Sequence, residues 1–143
     1  MQKQGMVVLK ILWSALFMAI IMIGFLAFQL KGEPIFEGIN PAPLFLAAAM
    51  FALVLSFVIP RLMLVSAKAT LPDGASFDEC VRRYTVPFIV RIALAEGIAT
   101  VGMAATMASD LNVSAPFILT AAARMLIAFP TEEKIRDVFS KFE

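Results

Sequence analysis

Between Lys10 and Lys31 the chain runs for twenty residues, Ile11 to Leu30, without a charge. At ~1.5 Å rise per residue, a helix of that length crosses the ~30 Å hydrocarbon core of a bilayer. A second uncharged run covers twenty-three residues, Gly38 to Pro60. Two further apolar segments follow, one interrupted by Arg91 and Glu96, the other by Arg124. Composition agrees with a membrane chain. Hydrophobic residues make up 61% and charged ones 16%, against about 25% charged in an ordinary soluble domain. A soluble domain of this size buries only about 70% of its unfolded-chain surface and has no room for so many apolar side chains.

The predicted architecture is all-α: one integral membrane domain, a four-helix bundle of two tandem helical hairpins, with short cytoplasmic amphipathic helices. The spans are placed at about 7–30, 43–60, 86–108 and 113–130, and a C-terminal amphipathic helix at 132–142. Asn40-Pro41-Ala42-Pro43 opens the second span and Pro60 is expected to close it. Asp110-Leu-Asn-Val-Ser114 makes a short outer turn. The first segment is longer than a usual signal-peptide apolar region and no small-x-small cleavage site follows it, so it reads as an uncleaved span.

Lysine and arginine set the expected orientation. Lys3, Lys10, Arg61, Lys68, Arg82, Arg83, Lys134, Arg136 and Lys141 fall on one side and only Lys31 on the other. That bias predicts a multi-pass protein of the inner (cytoplasmic) membrane with both termini in the cytoplasm. Trp13 and Tyr84 are expected near the inner interface.

Ser76 and Glu79 have capping-box spacing, so a helix is predicted from Phe77, kinked at Pro87. Leu71-Pro-Asp-Gly74 just before it is turn chemistry. Thr131 is positioned to cap a last helix, in which Ile135, Val138, Phe139 and Phe142 form one apolar stripe. That stripe suits the lipid headgroup plane and the end of the chain's own bundle equally well. Pro43-Leu-Phe-Leu-Ala-Ala-Ala matches Pro116-Phe-Ile-Leu-Thr-Ala-Ala in character, and Val8-Leu9-Lys10-Ile11 matches Ile89-Val90-Arg91-Ile92. The two hairpins therefore read as a candidate duplication.

Several chemistries are excluded. Twelve basic against eleven acidic residues leave a net charge of +1, which gives no reason to expect nucleic acid. There is no histidine, so imidazole catalysis and His-bound metal are out. The single cysteine, Cys80, forms no intrachain disulfide and is expected to be inert. No nucleophile–base pair or metal set is visible. No enzyme activity, catalytic residue, metal or cofactor is expected.

The second hairpin alone carries charge inside the apolar layer. Such residues cost about 2.5–3.5 kcal/mol at the centre of a span and therefore seek partners. Arg91 and Glu96 are about 140° apart around a helix and cannot share a face. Glu96 is thus expected to bridge to Arg124 on the neighbouring span, with Arg91 close by and the Thr100 and Thr120 hydroxyls completing an intramembrane polar network. Snorkelling to the headgroups is the competing fate for Arg91 and Arg124. Around Glu96 the small residues Ala93, Gly97 and Gly102 are expected to let helices pack closely.

Arg91-Ile-Ala-Leu-Ala-Glu96-Gly97 together with Phe129-Pro130-Thr131-Glu132-Glu133-Lys134-Ile135 resembles a family of small bacterial four-span membrane proteins with no assigned activity. The resemblance covers the second half of the chain and implies topology and a site around Glu96. Ala93-Leu-Ala-Glu96-Gly-Ile-Ala-Thr-Val-Gly102 is also similar to the carboxylate-bearing helix of rotary-ATPase proteolipid subunits. The packed glycine repeat and polar loop motif of those subunits are missing here, so that likeness is one of fold level.

The expected function is non-enzymatic. The chain reads as a small membrane protein acting as a structural or accessory subunit of a larger membrane complex, or as a homo-oligomeric scaffold. The alternative is ion or proton conduction through Glu96. The lipid bilayer is the one partner common to both.

Overall fold

A computed structural model describes residues 2–29, 40–108 and 113–140. The expected outer loops and Phe142 lie outside the described residues. All regular structure among those described is helical: α1 Gln2–Gln29, α2 Ala42–Ala69, α3 Phe77–Met107, α4 Ser114–Ile127 and α5 Glu132–Ser140. Helices α1, α2 and α3 are long and apolar enough to cross a membrane, and α4 with α5 makes a fourth only if that pair, bent by 74°, counts as one span. Alone, the 14 residues of α4 reach about 21 Å at 1.5 Å each, short of the ~30 Å core.

Helix α3 is the centre of the molecule. It packs on α2, α1, α4 and α5, and α1 also packs on α4. Two tandem hairpins were expected, but α1 and α2 share no extended interface among the described residues. They pack against α3 and leave their outer sides open. Ile92, Ile98 and Ala99 of α3 are fully enclosed, together with Leu9 and Ile20 of α1 and Ala121 and Met125 of α4. By contrast Phe25, Phe28, Leu44, Phe51 and Leu62 project outward, Phe28 with 77% of its surface exposed. Apolar surface on that scale is stable in hydrocarbon and a liability in water.

The proposed likeness of the two halves is limited by length, since α2 has 28 residues and α4 has 14. Helix α2 also differs from expectation at Pro60, which does not end it; the helix continues to Ala69. Proline removes the N–H that would bond the carbonyl four residues back, here that of Ser56, and its ring crowds that carbonyl. That carbonyl finds another donor in Arg124 of α4, so the helix can pass through. Helix α3 likewise runs unbroken through Pro87.

The caps form where their residues predict. Ser76 Oγ accepts from the Glu79 backbone N–H at 3.3 Å, and Thr131 Oγ1 from that of Lys134 at 3.2 Å. Gly74 takes a φ of 75° in the turn before α3, which glycine adopts without a Cβ penalty. Arg83 then clasps the α2–α3 hairpin: it pairs with Glu79 at 3.2 Å and donates to the Thr70 hydroxyl.

The C-terminal end of α4 is closed by three elements. Its last four carbonyls would be orphans. Arg124 O and Leu126 O are taken by the N–H groups of Ala128 and Phe129, at 3.0 and 3.2 Å. Met125 O accepts from Trp13 Nε1 of α1 at 2.7 Å, and Ile127 O from Lys134 Nζ of α5 at 3.0 Å. Trp13 also stacks on Phe17 and meets Phe129 edge-on, both at 4.9 Å. Helix α5 lies against the chain's own core: Ile135 is fully buried, Val138 and Phe139 pack beside it, and Arg136 sits 4.5 Å over the Phe77 ring. Of the two fates open to its apolar stripe, the structure shows packing on the bundle.

These contacts gather the charges at one end. Gly5 of α1 approaches Val81 of α3, and Arg136 of α5 covers Phe77. Lys10, Arg61, Lys68, Arg82, Arg83, Lys134 and Arg136 therefore belong to the end formed by the α2–α3 turn.

Candidate functional site

The proline that α2 tolerates and the buried arginine of α4 form one unit. Pro60 leaves the Ser56 carbonyl without its helical donor. Arg124 reaches across from α4 and donates from Nη2 to that carbonyl at 2.9 Å and to Ser56 Oγ at 3.2 Å. The guanidinium also lies on the Phe57 ring, 3.6 Å from its centroid, a cation–π contact strengthened by desolvation. Only 5% of Arg124 is exposed, so it does not snorkel. Its Nε and Nη1 are buried and find no hydrogen-bond acceptor among the described residues.

These groups border a half-enclosed cavity of about 190 Å³ between α2, α3 and α4. Ser56, Phe57, Pro60 and Arg61 come from α2, Tyr84, Pro87 and Arg91 from α3, and Arg124 from α4. Arg91 stands beside Tyr84. No carboxylate lines the space. Three arginines thus line it, Arg61 being exposed. Like charges held in a low-dielectric pocket repel, and the arrangement favours an anion.

The expected network is only partly assembled. The structure brings Arg91 and Arg124 to one cavity, but it does not bring Glu96 to Arg124. The reason is angular: Arg91 lines the cavity, and Glu96, about 140° from it around α3, is half-buried and lines no part of it. No ion pair or hydrogen bond reaches its carboxylate among the described residues. Thr100 Oγ1 donates to the Glu96 backbone carbonyl at 3.2 Å and Thr120 Oγ1 to that of Pro116 at 2.7 Å. Each hydroxyl bonds back into its own helix, as threonine commonly does mid-helix, and neither joins the arginines.

The small residues divide in the same way. Gly102 lies where α3 meets α4: a Cβ there would fall 2.4 Å from Phe117 Cβ. Ala93 is exposed, and a Cβ at Gly97 would meet nothing within 4 Å. Ala93, Glu96, Gly97 and Thr100 therefore form an open face with a carboxylate on it. Among the described residues no cluster of His, Cys, Asp or Glu suited to a metal is present.

Ser56, Pro60, Arg61 and Tyr84 were not foreseen as site residues. One signal was available: a serine four residues before a proline inside an uncharged run marks a backbone carbonyl that needs a new donor.

Compared with models of known families, with curated proteins and with solved structures, the chain matches none.

Proposed function

We propose that the protein is a small integral membrane subunit whose open α3 face receives a transmembrane helix of another chain. The observation that carries this reading is the Glu96 carboxylate, which lies within the apolar stretch of α3 and has no partner among the described residues. An acidic group facing lipid costs about 2.5–3.5 kcal/mol, and a helix bringing a cation or a hydroxyl removes that cost. Ala93 and Gly97 beside it let a second backbone approach closely. Two copies meeting here about a two-fold axis would bring Glu96 against Glu96, which favours an accessory role beside a different chain over a homo-oligomeric scaffold. The resemblance to small bacterial four-span proteins centres on the same Arg91–Gly97 stretch.

The basic end of the molecule supports a multi-pass arrangement in the inner membrane, with the α2–α3 turn and both termini on the cytoplasmic side. The α4–α5 pair then completes a four-helix membrane bundle. A cysteine at Lys68 is expected to label from the cytoplasmic side and one at Asn40 from the opposite side.

The test places a photo-crosslinking residue at Thr100, and at exposed Leu119 of α4 as a control, in intact membranes. A discrete larger adduct is expected from Thr100, lost on Gly97→Phe in a protein that still folds. Equal yields from both positions would sink the reading. Proton or ion conduction through Glu96 is the second reading, favoured by the same unpaired carboxylate. It predicts flux in liposomes that disappears in Glu96→Gln; we expect none.

A further inference from the structure

We propose that the cavity between α2, α3 and α4 binds the phosphate of an anionic phospholipid headgroup. The inference uses none of the residues on the Glu96 face and stands or falls separately from it.

Arg124 has donors left over. A guanidinium carries five N–H donors. In Arg124, Nη2 serves Ser56 O and Ser56 Oγ, while Nε and Nη1, with the other three N–H groups, are buried without acceptors among the described residues. A side chain this enclosed, 5% exposed, gains little from bulk water. The surroundings worsen the imbalance, because Arg91 and Arg61 line the same space and no carboxylate does. An anion with several acceptor oxygens seated in the cavity answers that imbalance, because it neutralises these mutually repelling cations. Phosphate, like carboxylate, matches the planar donor fork of a guanidinium. The volume of about 190 Å³ is several times the ~30 Å³ share of one water, room enough for a phosphate group.

The shape of the mouth selects the source. Phe57 lines the cavity and is also 54% exposed on the outer side of α2. Val54, Val58 and Leu62 are exposed on that helix as well. A phosphate seated on Arg124 and Arg91 therefore has an apolar track beside it, on which acyl chains can lie. Arg61, at the exposed edge, is placed for the rest of the headgroup. A free inorganic phosphate would use the arginines but not the track.

The experiment uses the full chain in a mild non-ionic detergent and native mass spectrometry. Phosphatidylglycerol and phosphatidylcholine are added in parallel, and inorganic phosphate separately. Wild-type protein is expected to retain phosphatidylglycerol over phosphatidylcholine. Arg91→Gln, which leaves the Ser56 contact in place, is expected to weaken that retention about tenfold, the share of one charge-assisted hydrogen bond. Arg61→Gln/Arg91→Gln should lose more. Equal retention of phosphatidylglycerol by wild type and the double variant, both with unchanged helicity, would overturn the proposal. Arg91-dependent thermal protection by inorganic phosphate without lipid retention would overturn the lipid as source.

Discussion

The two sides of α3 are built from the same kinds of residue and have opposite surroundings. On the inner side Ala95, Ile98 and Ala99 are enclosed, and Gly102 is so close to α4 that a Cβ would overlap Phe117. On the outer side Ala93 is exposed and Gly97 faces open space. The charges divide likewise. Arg124, which reaches the inner layer, holds a carbonyl and an aromatic ring, whereas Glu96, at the outer margin, holds nothing among the described residues. Small residues permit close packing without directing it; the neighbouring helix decides which of them are used.

The sharpest test of that contrast is Gly102→Val against Gly97→Val. At Gly102 the new side chain must displace Phe117, and overpacking of this kind costs about 1–3 kcal/mol or more. At Gly97 the isolated protein should lose almost nothing. Thermal unfolding in detergent separates the two, and similar melting temperatures would erase the distinction between the faces.

Arg124→Gln probes the inner layer more gently. It leaves the Ser56 carbonyl buried and short of its charged donor, at a cost of about 1–3 kcal/mol. Adding Pro60→Ala restores a helical N–H to that carbonyl, so the double variant should recover part of the loss. If Pro60→Ala is equally silent or harmful in both backgrounds, the carbonyl is not what Arg124 satisfies.

The smallest effect is expected between the two sides. Glu96→Gln and Arg124→Gln should add independently, within about 0.5 kcal/mol, as unlinked sites do. A larger coupling in a double-mutant cycle would show that the two charges meet after all.

Much of the fold was legible locally. The uncharged run Ile11–Leu30 lies within α1 except for Leu30, which falls outside the described residues. Ser76 and Thr131 cap the helices they precede, because a cap needs only the three residues that follow it. The site was half legible. Arg91 and Arg124 were recognisable as charges in apolar segments, but their meeting at one cavity depends on α2, which contributes Ser56 and Pro60 from more than sixty residues before Arg124 along the chain. The Glu96–Arg124 bridge was inferred by excluding Arg91, which lies about 140° from Glu96 around the helix. That angle does not say which neighbour Glu96 meets, and Glu96 lies outside the cavity that Arg124 lines.

Hydrophobic run length and short-range hydrogen bonding are enough to fix the helical class, helices long and apolar enough to cross a membrane, the N-terminal caps and the lopsided distribution of basic residues. These need no knowledge of neighbours, since a helix satisfies its own backbone. Long-range packing settles the rest: that α2 continues through Pro60, that α1 packs on α3 and α4 instead of α2, that α5 lies on the bundle, and which glycine is a seam. Each of those depends on a donor, a ring or a helix surface arriving from a distant part of the chain, and no local pattern encodes which one arrives.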